Sequence, residues 1–118
     1  MSPRRATVRR EATPQLLERV ASRFRALAEP ARLVVLHALE GGELTVSELV
    51  EATGLAQGNL SKHLQQLYAA GFVTRRRDGM FVYYALADED VLALCELMCG
   101  RLEGEVESAR RLLAVRAR

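Results

Sequence analysis

Tryptophan is absent from the 118 residues, aromatics amount to 5%, and there are only two cysteines and two histidines. These shortages exclude several classes of protein. Two cysteines are too few for a disulfide-stapled secreted fold. No run of about 18 apolar residues exists, so nothing is expected to span a membrane. The arginines near the N-terminus have no apolar stretch behind them, which is unlike a secretory signal, and a cytoplasmic location is expected. No metal triad, nucleophile–base pair or phosphate loop can be picked out, so an enzyme is not expected. With so few aromatics, the core has to come mainly from Leu, Val and Ala.

What is present is one domain's length of chain with 49% hydrophobic residues, enough for a modest core. A domain this small gains stability by dimerising, because a second copy covers apolar surface that one chain leaves in water. The net charge of +2 says little. Its distribution says more. Arg4, Arg5, Arg9 and Arg10 open the chain, and Arg75, Arg76 and Arg77 form a second cluster. The segment from Asp88 to Glu107 holds seven acids and one arginine. Basic clusters separated from acidic ones in this way suit a polyanionic partner.

Residues 1–13 lack apolar periodicity and are expected to form a flexible basic arm, either lying along DNA or taking no part in binding. Residues 14–118 are expected to be one folded domain. Thr13-Pro14 marks a helix start, and Leu16, Leu17, Val20, Ala21, Phe24, Leu27 and Ala28 follow helical spacing. Glu29-Pro30 ends that helix and begins a short apolar one, which stops at Gly41-Gly42. Thr45-Val46-Ser47-Glu48 is a capping-box pattern opening a third helix that Gly54 terminates. A fourth helix runs from about Gln57 to Ala70, with Leu60, Leu64 and Leu67 on one face. The pattern then turns β-rich: Phe72–Arg77, the turn signal Asp78-Gly79, and a return strand Met80–Leu86. Asp88 can cap a last helix, from about Glu89 to Val115, with the stripe Val91, Cys95, Met98, Leu102, Val106, Ala109, Leu113. Gly100 and Gly104 within it each cost about 1 kcal/mol relative to Ala, a cost that close approach of a partner helix would offset. The expected fold is mainly α with a small two-stranded β-wing.

Two short helices joined by a Gly-containing turn make a helix-turn-helix, and a hairpin directly after them makes it winged. The outer face of the second of these helices carries Gln57, Gly58, Asn59, Ser61, Lys62, His63, Gln65 and Gln66. An ordinary solvated helix would carry Glu and Lys pairs. Amides, hydroxyls and a single Lys are the groups that read base edges and phosphates in the major groove. No acid lies between Leu55 and Arg77, so nothing there repels phosphate. Of the hairpin arginines Arg75, Arg76 and Arg77, at least one is expected to reach a backbone phosphate or the adjacent minor groove, with Arg75 and Arg77 on one face and Arg76 on the other. The partners expected are a double-stranded DNA operator and a second copy of the chain, with no membrane.

Four segments in order resemble the ArsR/SmtB repressors: FRALAEPARL at 24–33, ELTVSEL at 43–49, LAQGNLSKHL at 55–64, and GFV at 71–73 with RRDG at 76–79 and VYY at 82–84. The resemblance covers roughly residues 20–100. It implies a dimeric winged-helix repressor of operator DNA, released by a metal ion or another inducer, with the first and last helices at the dimer interface. The sequence departs from the family at its effector positions. Thr45 and Ser47 stand where arsenic-sensing members carry thiols, and hydroxyls are poor ligands for soft ions. Zinc-sensing members use Asp and His pairs on the last helix. That helix has no His here, although Asp88 and Asp90 remain.

Cys95 and Cys99 are left. Four residues apart on a helix is about 6 Å along the axis, so both sulfurs can share a face. A pair so placed can chelate a soft, thiophilic metal ion, with four thiols available across a dimer, or be oxidised. The competing reading makes Cys95 a small core residue and gives the regulator no inducer site. A winged-helix module used only for protein contact is a third reading.

Overall fold

A computed structural model describes residues 11–116, with side chains to residue 114. Helix α1 spans Pro14–Leu27. Thr13 caps it by accepting from the Leu16 N–H, and Pro14 occupies the first turn. Helix α2 (Pro30–Ala38) likewise begins at a proline. Strand β1 (Leu44–Thr45) leads directly into α3 (Val46–Thr53). The capping box is present: Thr45 Oγ1 accepts from the Glu48 N–H at 3.2 Å, and the Thr45 N–H donates to Glu48 Oε1 at 2.8 Å. Gly54, at φ 75°, closes α3 in the left-handed region that a side chain disfavours. Helix α4 (Gln57–Ala69) follows after a short turn. Strands β2 (Val73–Asp78) and β3 (Phe81–Leu86) form the hairpin, and α5 (Asp90–Arg116) ends the fold, with the Asp90 N–H donating to Asp88 Oδ1 at 2.9 Å.

The expected order of elements holds, with two differences. The sheet has three strands in the order β1-β3-β2, because Leu44 and Thr45 pair with Tyr84 and Tyr83. Two residues are too few to leave an alternating pattern, and Thr45 is at the same time the cap of α3. The turn also falls one residue later than the Asp78-Gly79 signal. Asp78 pairs with Phe81, so Gly79 and Met80 are the turn, and Gly79 at φ 64° supplies the conformation it needs.

The core lies where α2, α3, α4 and the sheet meet. Val35, Leu36, Leu39, Leu49, Leu60, Leu64, Leu67 and Val73 are buried there, with Tyr84 and Val91 closing its edge. Among the described residues, α5 contributes Val91 and the partly buried Leu92 to it. From residue 96 to 114 every side chain of α5 is exposed. The apolar face of α1 is also uncovered, with Phe24 54% exposed, and so is the α5 stripe at Met98, Leu102, Val106 and Leu113. A Cβ added at Gly100 or Gly104 would meet nothing within the protomer. The basic arm expected at the N-terminus falls, over residues 1–10, outside the described residues.

Candidate nucleic-acid interface

Helix α4 is anchored by Leu60, Leu64 and Leu67, whose burial turns the opposite face outward. Gln57, Gly58, Asn59, Lys62, Gln65 and Gln66 are exposed on it, while Ser61 and His63 are half-buried. No side chain caps the helix: Ala56 holds the N-cap position. The first-turn N–H groups of α4 therefore have no side-chain cap, and no acid in that turn offsets the positive end of the helix dipole.

His63 has a partner inside the protein. Its Nδ1 accepts from Arg32 Nε at 3.2 Å. Of its two ring nitrogens, Nε2 is left for any outside partner. Spacing along the chain gives no sign of this pairing, since Arg32 lies 31 residues away on α2.

The wing arginines are not equivalent. Arg75 stacks on the Tyr68 ring of α4, 4.1 Å from its centroid. Arg76 lies over Tyr83 at 4.5 Å and grips Glu43 with two hydrogen bonds, Nε to Oε2 being 2.9 Å. Asp78 adds a looser ion pair at 3.8 Å. Arg77 donates to the Gly79 carbonyl at 3.3 Å, folding towards the tip. Arg75 meets α4 and Arg76 the β1 side, so these two part as strand alternation predicts. Arg76 thus already holds an acid of its own chain. Glu43 is 33 residues away in sequence and is brought alongside only by the pairing of β1 with β3. The hydrogen bond from Arg76, aided by its charge, holds the Glu43 carboxyl below its usual range against a smaller opposing cost of desolvation.

On α5, Cys95 is half-buried and Cys99 exposed. Burial pushes the Cys95 thiol above its usual range, and the neighbouring Cys99 adds to that. No cluster of three or more His, Cys, Asp or Glu able to hold a metal ion occurs among the described residues. A donor set of two thiols per protomer fits a soft ion and no hard one. No helix is long and apolar enough to cross a membrane among the described residues.

The family model described as bacterial regulatory protein, arsR family, matches residues 29–75, from the N-cap of α2 to the middle of β2. The chain is 38% identical over 97 residues to a Streptomyces lividans protein named "Probable mercury resistance operon repressor", covering 71% of this chain and 78% of the relative. It is 36% identical over 92 residues to the arsenical resistance operon repressor of Bacillus subtilis, covering 75% of this chain and 88% of that one. The solution structure of a homodimeric winged helix-turn-helix DNA-binding domain from Mycobacterium bovis superposes with a TM-score of 0.70 at 38% identity, covering 79% of this chain and 86% of the other.

Proposed function

The chain belongs to the arsR family of bacterial regulatory proteins, and from that premise we propose that it is a homodimeric transcriptional repressor that reads duplex DNA with α4 and its wing and is released by a thiol-directed signal. The carrying observation is the α4 surface: an uncapped, acid-free helix start with Gln57, Gly58, Asn59 and Lys62 exposed around it. In the major groove, Gln57 and Asn59 offer the paired donor and acceptor that match adenine edges. Lys62 and the first-turn N–H groups meet phosphate, and Arg77 extends the contact from the wing. The uncovered apolar faces of α1 and α5 are the dimer surface, and a two-fold pair of α4 helices then reads two half-sites.

The proposed inducer site is Cys95 with Cys99. Two thiolates supply the soft ligands that mercury- or arsenic-like ions need, in keeping with the named relatives. A thiol pushed above its usual range has to give up its proton to bind such an ion, so the ion is held more tightly as pH rises through that range. Oxidation or sulfane sulfur would act first at Cys99, the more accessible of the two.

The test is a mobility-shift series on a duplex selected by the protein from random sequence. Affinity should fall log-linearly with salt, Lys62→Ala should lower that slope by about one, and Asn59→Ala should relax sequence preference. Absence of salt-dependent binding would end the DNA reading in favour of a protein-contact module. In a second arm, C95S and C99S should bind DNA normally yet resist release by mercuric ion or oxidant. Release equal to wild type would leave a DNA-binding regulator with no inducer site on these thiols.

A further inference from the structure

The half-buried Arg32 bridges two helices that have no other described side-chain hydrogen bond between them. Its Nη1 donates to the Ala26 carbonyl at 3.2 Å, and its Nε to His63 Nδ1 at 3.2 Å. Ala26 lies in the last turn of α1, where backbone carbonyls have no partner within the helix, and a cation there also complements the negative end of the helix dipole. His63 lies mid-way along α4, one turn beyond Asn59 on the same side. The guanidinium's fixed fork makes the two bonds mutually dependent: a move of α4 relative to α1 strains one or both.

We propose that Arg32 is a positioning residue for DNA reading, which fixes the rotation of α4 about its own axis against the end of α1 by holding His63. This rests on α4 being the reading helix. A rotation of about 10° displaces side-chain tips 5–6 Å from a helix axis by about 1 Å, enough to lose a hydrogen bond at a base edge. The leucines of α4 are apolar contacts without direction, and they tolerate such a rotation better than a hydrogen bond does. The Arg32–His63 bond supplies the direction. Because α1 also carries the uncovered apolar face assigned to the dimer, the bridge runs from the dimer helix to the reading helix. His63 then acts through its Nδ1 within the protein, rather than as a direct reader of DNA.

Asparagine places a side-chain oxygen near the position of His Nδ1, whereas glutamine reaches the position of Nε2. Paired variants therefore separate the two roles. His63→Asn should keep affinity for the selected duplex within about twofold. His63→Gln and Arg32→Met should each weaken it roughly tenfold, as expected for loss of a hydrogen bond from a charged donor. The two combined should weaken it no further than either alone. Arg32→Met should leave the salt slope unchanged. In the free wild-type protein, long-range 1H–15N spectra should place the His63 proton on Nε2, and Arg32→Met should release it to a tautomer mixture.

Wild-type binding by His63→Gln with weak binding by His63→Asn would make Nε2 a DNA contact and overturn the proposal. So would additive losses, or a drop of about one in the salt slope of Arg32→Met, which would make Arg32 a phosphate contact. Failure of the reading-helix assignment looks different: Asn59→Ala and Lys62→Ala would then bind as wild type.

Discussion

Arg76 holds Glu43 in the free protein, and a phosphate would have to compete for it. At neutral pH its guanidinium is held by Glu43, and both groups are exposed, so the pair adds little to stability. Its consequence is for binding, because an arginine held by a carboxylate is less free for phosphate. Glu43→Gln should therefore tighten DNA binding severalfold and steepen the salt dependence by about one counterion. Titration against salt checks both, and an unchanged slope would show that Arg76 makes no phosphate contact. The sign of the pH effect follows from the depressed Glu43 carboxyl. What the pair contributes to stability is present above the usual carboxylate range and is lost as pH falls through the lowered one. Cys95 runs the other way: its raised thiol holds a proton that the unfolded chain would release. Its contribution is present below the usual thiol range and is lost as pH rises through the raised one.

Thr45 serves two elements at once, closing β1 against Tyr83 and capping α3 through Glu48. Thr45→Ala removes the capping hydroxyl and leaves the Glu48 N–H without its partner. The expected loss is about 1 kcal/mol of unfolding free energy, read from the urea midpoint with an unchanged slope. Because β1 also holds the wing through β3, DNA affinity should fall as well. A stability loss with unaltered affinity would separate the cap from the wing. The other elements divide by what covers them. Helices α2, α3 and α4 bury leucines against one another, whereas α1 and α5 present apolar residues to solvent.

The described chain has a radius of gyration of 18.7 Å, against about 13 Å for a compact domain of this length. The excess comes from α5, whose 27 residues extend well past the core. Beside its first turns, Val20, Phe24, Leu27, Phe72, Val91 and Leu94 line an apolar cavity of about 200 Å³. Uncovered apolar surface of this kind suits an interface, and a second copy would cover it with the same surface in return. Leu102→Glu, at a residue 52% exposed in the protomer, should leave the protomer's fold intact by circular dichroism. It should shift sedimentation equilibrium to monomer and weaken operator binding by more than tenfold, because one α4 then reads one half-site. A stable dimer in this variant would move the interface off this stretch of α5.

Local chemistry determined what a sequence can carry. Thr13, Thr45, Gly54, Pro14 and Pro30 set helix ends through caps and fixed backbone angles, and leucines at helical spacing chose the inward face of α4. The absence of acids between Leu55 and Arg77 marked the surface proposed to read DNA. Tertiary structure decided the contacts between residues distant in the chain: Arg32 with His63, Arg76 with Glu43, and β1 with β3. Each depends on the direction of a hydrogen bond or on strand register, which spacing along the chain does not encode. The same holds for α1 and α5. Their periodicity announced an apolar stripe, and only the packed protomer showed that the stripe stays uncovered, because burial is a property of neighbours in space.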